Sequence, residues 1–324
     1  MNYGIPYMGS KSKIIKDLIK IFPKAENFYD LFGGGFSVTH GMLLHRRNDF
    51  KEFHFNEIRP GICELIQDAI KGKYSYKNFR MPWVSREEFE HKKELDPFIK
   101  ILWSFGNNGI GYLFGSDIEP YKRSMHYAVV FNQFDEKAKS VFGMDRFHND
   151  LSITERRLFL RQRVRFLNPR KKDREIRNLQ QLEALERLQQ LEALEQLERL
   201  QRLEALQQLE ALERLQQLNF YNQSYEHINI KPNSIIYCDI PYKGTADYGS
   251  QFNHYKFFDW ANSQDNPVFI SEYNVEDNRF RCIWNEPKRS LLSSTKTTGN
   301  KMEKVYVNRS GYDLILKNLR GKGG

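Results

Sequence analysis

The chain has 324 residues, of which 50 are Lys or Arg and 41 are Asp or Glu, so its formal net charge is +9. Its 40% hydrophobic and 14% aromatic residues exclude a disordered chain and are enough for a sizeable core. No stretch approaches the ~20 apolar residues of a membrane span. Three cysteines with no close pair exclude a disulfide framework or a cysteine zinc site. We therefore expect a protein of the reducing cytoplasm without a metal site.

The first predicted elements are a strand, a glycine-rich loop and a helix. Residues 28–32 have the pattern of a short buried strand, glycines occupy 33–35, and 36–44 have a helical pattern. Glycines after a strand let the backbone approach a ligand and leave helix amides free for polar groups. The next strand, 53–56, is followed by Glu57, and an acid about 20 residues past the glycines is placed to bind ribose hydroxyls.

The middle of the chain, residues 66–178, is aromatic and basic, and we expect a mostly helical recognition domain inserted there. Its last part, 154–177, contains ten Lys or Arg and three acidic residues. Such a run is as consistent with a solvated helix face as with contact to nucleic acid.

Residues 179–218 contain only Leu, Gln, Glu, Arg and Ala and repeat a nine-residue unit. Units 180–188 and 207–215 are identical, and 189–197 differs from them only at Gln196. The composition predicts helix, but leucine at every third position drifts ~60° around an α-helix per step, which does not match a coiled coil. We interpret the segment as a tolerated insertion or as an element for self-association, and we expect its deletion to leave catalysis intact.

The charge is divided unevenly between this repeat and the rest of the chain. The repeat holds eight Glu and four Arg, a net charge of −4. The remainder therefore holds 46 basic and 33 acidic residues, a net charge of +13. A basic body favours a polyanionic partner, and we expect the acidic repeat to lie away from that partner.

The C-terminal part supplies further strands. Residues 234–238 have a buried-strand pattern and run into the tetrapeptide Asp-Ile-Pro-Tyr at 239–242. An acid, a rigid turn and an aromatic ring thus follow a strand, where open α/β sheets bind their ligands. Later strands are predicted at 267–270 and 304–307, with a helix at 257–262. The pattern predicts an α/β fold with a mostly parallel, doubly wound sheet.

Six short motifs follow one another along the chain. They are P-Y-M-G-S-K at 6–11, D-L-F-G-G-G at 30–35, N-E at 56–57, D-I-P-Y at 239–242, S-E-Y-N at 271–274 and E-K-V-Y at 303–306. The set resembles the DNA adenine methylase (Dam) family of S-adenosylmethionine-dependent methyltransferases, over residues 1–178 and 219–324. The resemblance implies a Rossmann-like methyltransferase domain formed by 1–65 and 219–324, a target-recognition domain at 66–178 and the repeat insertion at 179–218.

The resemblance also implies a reaction. The enzyme would be a site-specific methyltransferase that moves a methyl group from S-adenosylmethionine to the exocyclic amine of adenine in double-stranded DNA, after base flipping. Asp239 and the carbonyl of Ile240 would accept the two amine hydrogens. Pro241 would fix that carbonyl, and Tyr242 would stack on the adenine. The family's usual tetrapeptide has a second proline at the position of Ile240.

Further site residues follow from the same resemblance. Glu57 would bind the ribose, and Asp30 would lie near the amine of the methionine part. Tyr7 and Lys11 would reach the cofactor or the catalytic loop. The other residues expected at the cofactor are Phe32, Gly33 and Gly35, together with Asp239. The candidates for DNA binding are Arg123, Arg156, Arg161, Arg163, Lys288 and Lys296. Arg123 is as suited to reading guanine as to contacting phosphate.

Several alternatives stay open from the sequence. An RNA adenine methyltransferase or a protein-glutamine methyltransferase would apply the same chemistry to another planar amine. A catalytically silent DNA-binding assembly protein would use the fold and the repeat. A nicotinamide dehydrogenase would explain the strand, glycines and acid, but not the tetrapeptide. For the methylase, a bacterial or phage origin and a restriction-modification setting are expected.

Overall fold

The computed structural model describes residues 3–75, 79–167, 195–209, 217–242, 252–287 and 302–320. The chain divides into two compact units. Unit 1 comprises Met1–Gly4, Gly9–Glu64 and Leu209–Gly324, and unit 2 comprises Ile5–Met8 and Leu65–Gln208. Lys288, Lys296 and most of the repeat lie outside the described residues.

The strands of unit 1 form one seven-stranded sheet. They are β1 (Asn27–Asp30), β2 (Glu52–Asn56), β3 (Leu218–Tyr221), β4 (Ser234–Asp239), β5 (Val268–Glu272), β6 (Arg281–Pro287) and β7 (Met302–Val307). Their order is β3-β2-β1-β4-β5-β7-β6. The first five in this order are parallel, and β7 is antiparallel to both β5 and β6. The predicted α/β class is confirmed, with a mixed sheet.

The helices are named here in chain order. They are α1 (Ile15–Leu18), α2 (Ser37–Arg46), α3 (Ile62–Ile70), α4 (Arg86–Lys92), α5 (Pro97–Leu102), α6 (Glu119–His126), α7 (Glu136–Phe142), α8 (Ile153–Leu167), α9 (Glu195–Glu204), α10 (His254–Ser263) and α11 (Arg309–Arg320). Short 3-10 turns cover Ile19–Ile21, Arg47–Asp49, Phe105–Asn107, Ala205–Leu209 and Tyr225–His227, and Tyr127–Phe131 is a π-helical turn. No helix in these ranges is both long and apolar enough to cross a bilayer.

The central strands of unit 1 are buried along their whole length. Every residue of β1 and β5 is buried, because a parallel sheet covered on both faces leaves no strand position for solvent. Ile236 of β4 and Ile270 of β5 belong to one apolar cluster with Phe257 of α10. The sheet therefore supports the described residues that follow the carboxyl ends of β1, β2 and β4.

Unit 2 is helical in the described residues and has its own aromatic core. Trp83 packs edge-to-face on Trp103, with ring centroids 5.1 Å apart. His126 is fully buried beside them, and burial lowers its pKa to about 4, so the ring is neutral. Its Nε2 donates to the carbonyl of Met81 at 2.9 Å.

The described part of the repeat, residues 195–209, is an integral helix of unit 2. Four of its leucines are fully buried: Leu197, Leu200, Leu203 and Leu206. A step of three residues drifts ~60° on an α-helix, so the first three leucines span ~120°. The following 3-10 turn has about three residues per turn, which keeps the fourth in line. This stretch is therefore packed into unit 2, and the tolerance of the segment to deletion and its self-association stay predictions.

Departures from the nine-residue unit coincide with specific contacts. Gln196, which stands where the identical units have arginine, is fully buried and its Nε2 lies 3.3 Å from Nδ1 of His126. Arg199, which stands where the other units have glutamine, is buried and donates from Nη1 to the carbonyls of Leu102 at 2.6 Å and Ser104 at 2.8 Å. The irregular residues thus fix the register of α9.

Candidate active site

Acidic side chains follow the carboxyl ends of three parallel strands of unit 1. β1 ends at Asp30, β2 is followed by Glu57, and β4 ends at Asp239. In the sheet register Asp30 pairs with Phe55 of β2 and with Tyr237 of β4. Parallel strands end at the same edge, so the structure brings these three predicted site residues to one side of the sheet.

The glycine-rich loop after β1 is closed by contacts that require its glycines. The Gly33 amide donates to the carbonyl of Asn56 at 2.9 Å. A Cβ at Gly33 would lie 2.1 Å from the ring of Phe55, which leaves no room for a side chain. The Gly34 amide donates to Oε2 of Glu57 at 2.8 Å, so this acid holds the loop from the end of β2.

The N-terminal segment lies against the same loop. Gly4 has a φ of +67°, and a Cβ there would lie 2.1 Å from the carbonyl oxygen of Gly35. Further along, the amide of Lys11 donates to the hydroxyl of Ser37 at 3.2 Å, at the start of α2. These contacts fix the backbone from which the Lys11 side chain extends.

The Lys11 ammonium is buried between two carboxylates. Its Nζ lies 2.6 and 2.5 Å from the two oxygens of Asp239 and 3.5 Å from Oε1 of Glu303. Burial lowers the pKa of Lys11, the two acids raise it, and the net shift is upward, so the lysine stays charged. With both carboxylates ionised, the three groups carry a net charge of −1.

Tyr242 completes this cluster. Its hydroxyl donates a hydrogen bond to Glu303, and its ring centroid lies 5.0 Å from the Lys11 nitrogen. Its ring meets that of Tyr273 edge-to-face, with centroids 4.5 Å apart. Burial, followed by the charges of Asp239 and Glu303, raises the pKa of Tyr242 well above its usual value. The phenol is therefore a permanent donor.

The two middle residues of the tetrapeptide are anchored to unit 1. Ile240 is 1% exposed and belongs to the apolar cluster that includes Phe257. The carbonyl of Pro241 accepts a hydrogen bond from Nε2 of His254 at 2.8 Å. The sequence did not indicate this histidine, because no motif connects it to the tetrapeptide.

Glu303 lies at the site because β7 runs antiparallel to β5. That strand is antiparallel to β5, with Glu272 opposite Lys304, so it begins at the edge where β5 ends. Glu303 is 2% exposed. The sequence pointed to the E-K-V-Y motif without a role for its acid, because the direction of the strand was not known.

Asp30 is buried without a complete set of partners. Its Oδ2 accepts a hydrogen bond from the hydroxyl of Thr39 at 2.8 Å, whereas Oδ1 has no hydrogen-bond partner among the described residues. Burial raises the pKa of Asp30 to about 7; the Thr39 bond opposes the shift, and the charges of Asp239 and Glu57 add to it. A buried carboxylate oxygen left in this way fits a ligand that brings a cation or a donor.

Phe32, next to the glycines, forms an apolar wall. Its ring lies 5.3 Å from that of Tyr225 and 5.6 Å from those of Phe252 and Phe257, measured between centroids. The glycine-rich loop is therefore flanked by an aromatic cluster and by the Asp30 carboxylate.

Other predicted residues lie in unit 2. Tyr7 is buried there. Arg123 of α6 lies 5.7 Å from the ring of Tyr127, and both line a cavity of about 590 Å³. Arg156 of α8 is half-buried, and its Nη1 lies 3.5 Å from the carbonyl of Val129.

The acidic repeat contacts the basic run. Glu198 of α9 pairs with Arg157 at 2.8 Å and with Arg161 at 2.6 Å. The repeat therefore pairs with Arg161, one of the predicted DNA-binding residues, and its separation from DNA stays a prediction. The side chain of Arg163 lies outside the described residues, although its backbone belongs to α8.

The described residues contain no group of three or more His, Cys, Asp or Glu side chains arranged to hold a metal ion.

Residues 7–142 match the family model described as D12 class N6 adenine-specific DNA methyltransferase. The matched part contains the glycine-rich loop and Glu57, whereas the tetrapeptide 239–242 and Glu303 lie beyond it.

Proposed function

We propose that this chain, whose residues 7–142 match the D12 class of N6 adenine-specific DNA methyltransferases, transfers a methyl group from S-adenosylmethionine to adenine in double-stranded DNA. The observation that carries this proposal is the ion pair between buried Lys11 and partly buried Asp239, beside Tyr242. It lies on the sheet edge that also holds the glycine-rich loop.

The tetrapeptide supplies what the target amine needs. The exocyclic nitrogen of adenine is a poor nucleophile because its lone pair is delocalised into the ring. Two acceptors, the Asp239 carboxylate and the Ile240 carbonyl, would hold both amine hydrogens and localise that lone pair. Tyr242 would stack on the base, which must leave the duplex to reach the pocket.

The cofactor pocket is proposed at the ends of β1 and β2. The Oδ1 atom of Asp30, buried and without a partner in the described residues, suits the ammonium of the methionine part. Glu57 would accept hydrogen bonds from the ribose, and Phe32, Gly33 and Gly35 would line the pocket. When bound, S-adenosylmethionine supplies a methyl group on a cationic sulfonium.

The charge of the Lys11 cluster suits this chemistry. Transfer would form a carbon–nitrogen bond and break a carbon–sulfur bond, whose electron pair would stay on sulfur, so positive charge would move to the amine nitrogen. The net negative charge of Lys11, Asp239 and Glu303 stabilises that developing charge. The product amine then loses one proton, and the Asp239 carboxylate to which it is hydrogen-bonded accepts it.

We place target recognition in unit 2, within the region 66–178. Arg123 is the leading candidate for contact with a base, and Arg156, Arg161 and Arg163 are candidates for phosphate contact. Lys288 and Lys296 remain predictions for the DNA backbone. Such contacts make binding weaken steeply with salt. A cytoplasmic location in bacterial or phage-infected cells, and self-association through the repeat, also remain proposals.

Transfer of tritium from labelled S-adenosylmethionine tests the function directly. Duplex DNA containing adenine should be labelled as N6-methyladenine, whereas structured RNA and duplexes of I·C pairs should not. Asp239→Ala should abolish labelling and leave cofactor binding measurable. Preferential labelling of RNA would favour the alternative substrate, and no labelling by the wild-type chain would favour the silent DNA-binding protein.

A further inference from the structure

We propose that Glu303 is a positioning residue for methyl transfer. It pairs with the Lys11 ammonium when Asp239 binds the target amine. The same carboxylate orients Tyr242. This inference rests on the proposed function of the site and adds a role that the family match does not reach, because Glu303 lies outside residues 7–142.

The Lys11 ammonium and the target amine would compete for Asp239. The Lys11 nitrogen lies within 2.6 Å of both carboxylate oxygens. An amine hydrogen of adenine that bonds to the same carboxylate competes with the ammonium for its lone pairs. Productive binding of the base therefore requires the ammonium to weaken at least one of its two bonds to Asp239.

Weakening a bond between Lys11 and Asp239 costs free energy. Lys11 is 4% exposed, so its ammonium cannot exchange a carboxylate for bulk water. A buried charge that loses a partner is strongly destabilised unless another group of opposite charge replaces it. Glu303 is 2% exposed and already lies 3.5 Å from the ammonium. A movement of about an ångström would convert this contact into a direct hydrogen bond.

Glu303 also connects the Lys11 ammonium to the ring of Tyr242. The hydroxyl of Tyr242 donates to Oε1 of Glu303, the same atom that faces Lys11. The position of the ring and the position of the ammonium are therefore set by one carboxylate. A glutamine at 303 retains an oxygen that accepts from the phenol, but it has no charge to attract Lys11.

Glu303→Gln tests this assignment in single-turnover methylation of duplex DNA at saturating cofactor. We expect the rate to fall about 10- to 100-fold, as for loss of a charged hydrogen bond, and the Kd for S-adenosylmethionine to change by less than about twofold. The matched control is Glu52→Gln at the opposite end of the sheet, which removes an ion pair with Lys231 and should leave the rate unchanged. A wild-type rate in Glu303→Gln would overturn the proposal.

A double-mutant cycle with Lys11→Met separates positioning from a structural role. Without the ammonium, the partly buried Asp239 and the buried Glu303 are two neighbouring carboxylates that repel each other, so Glu303→Gln should then be neutral or improve the residual rate. An equal loss in both backgrounds, or a matching loss of cofactor affinity, would show a structural role and overturn the proposal. A wild-type chain that methylates no duplex DNA would remove the proposed function, and this inference with it. If the wild-type chain is active and the effects of Lys11→Met and Glu303→Gln on the rate are additive, the role of Glu303 is refuted and the proposed function stands.

Discussion

The ends of β1 and β4 each carry a buried or partly buried aspartate on the same edge of the sheet, but their surroundings are opposite. Asp239 at the end of β4 has an ammonium on both oxygens. Asp30 at the end of β1 has one neutral hydroxyl and a buried oxygen without a partner in the described residues. One carboxylate is compensated by the protein, and the other is not.

This difference indicates what each end of the sheet is built to meet. A compensated carboxylate keeps its charge and geometry before any ligand arrives, as expected for a group that orients a neutral amine. An uncompensated one has its pKa raised to about 7 by burial and becomes favourable when a ligand supplies positive charge. The contrast therefore separates a site of chemistry from a site of cofactor binding.

Asp239→Asn should remove the compensated carboxylate at the end of β4. The variant retains an acceptor oxygen, but it loses the charge that faces the amine and leaves Lys11 without its nearest partner. We expect single-turnover methylation to fall about 1000-fold, with a cofactor Kd close to that of the wild type by calorimetry. A loss of cofactor affinity as large as the loss of rate would contradict the separation of the two ends.

Asp30→Asn should show the reverse pattern. The Kd for S-adenosylmethionine should weaken about 10- to 100-fold, because a charged hydrogen bond is lost. Without cofactor the variant should melt at a higher temperature than the wild type at pH 8, since a buried charge has been removed. Calorimetry and thermal melts check both expectations, and an unchanged Kd would contradict the assignment of Asp30.

The pH dependence of cofactor binding should follow Asp30. Its pKa is raised from 3.8 to about 7 in the folded protein, so the carboxylate form is lost as pH falls through 7. Between pH 8 and pH 6 the Kd should weaken about tenfold. The stability that proton uptake gives the cofactor-free fold is complete below pH 3.8 and lost as pH rises through 7. Titrations of the wild type and Asp30→Asn measure this, and the same slope in both would refute it.

Thr39→Val tests the difference between Asp30 and Asp239 with the smallest expected effect. It removes the hydroxyl that donates to Oδ2 of Asp30, a hydrogen bond that lowers the pKa of this acid. The pKa should therefore rise further, and the Kd at pH 7 should weaken about threefold to tenfold. Methylation at saturating cofactor should be unaffected, and a fall in that rate would show that the two ends are coupled.

The sequence was informative wherever a strand is buried on both faces. Short apolar runs predicted β1, β2, β4 and β5, and the resemblance assigned Asp30 and Asp239 to one site. The family match confirms the resemblance to DNA adenine methylases. The contact between Lys11 and Asp239 spans 228 positions and was suggested only through that resemblance.

The elements that the sequence missed depend on tertiary contacts. β3 begins at Leu218, the last residue of a segment with strong helix propensity, and it is a strand because it pairs with β2. β6 is an edge strand whose exposed residues give no apolar pattern. The burial of Gln196 and Arg199 was equally hidden, because their partners lie in other helices and turns.

The register of α9 has a genetic consequence. The identical units 180–188 and 207–215 lie on either side of this helix, so joining one to the other would remove 27 residues (207 − 180) without shifting the reading frame. The lost stretch would include Gln196, Arg199 and four buried leucines. If the coding units are as alike as the protein units, slippage during replication would produce descendants that lack the helix and its packing. Such descendants would lack the buried contacts that fix α9 in unit 2, including those of Arg199 to the carbonyls of Leu102 and Ser104.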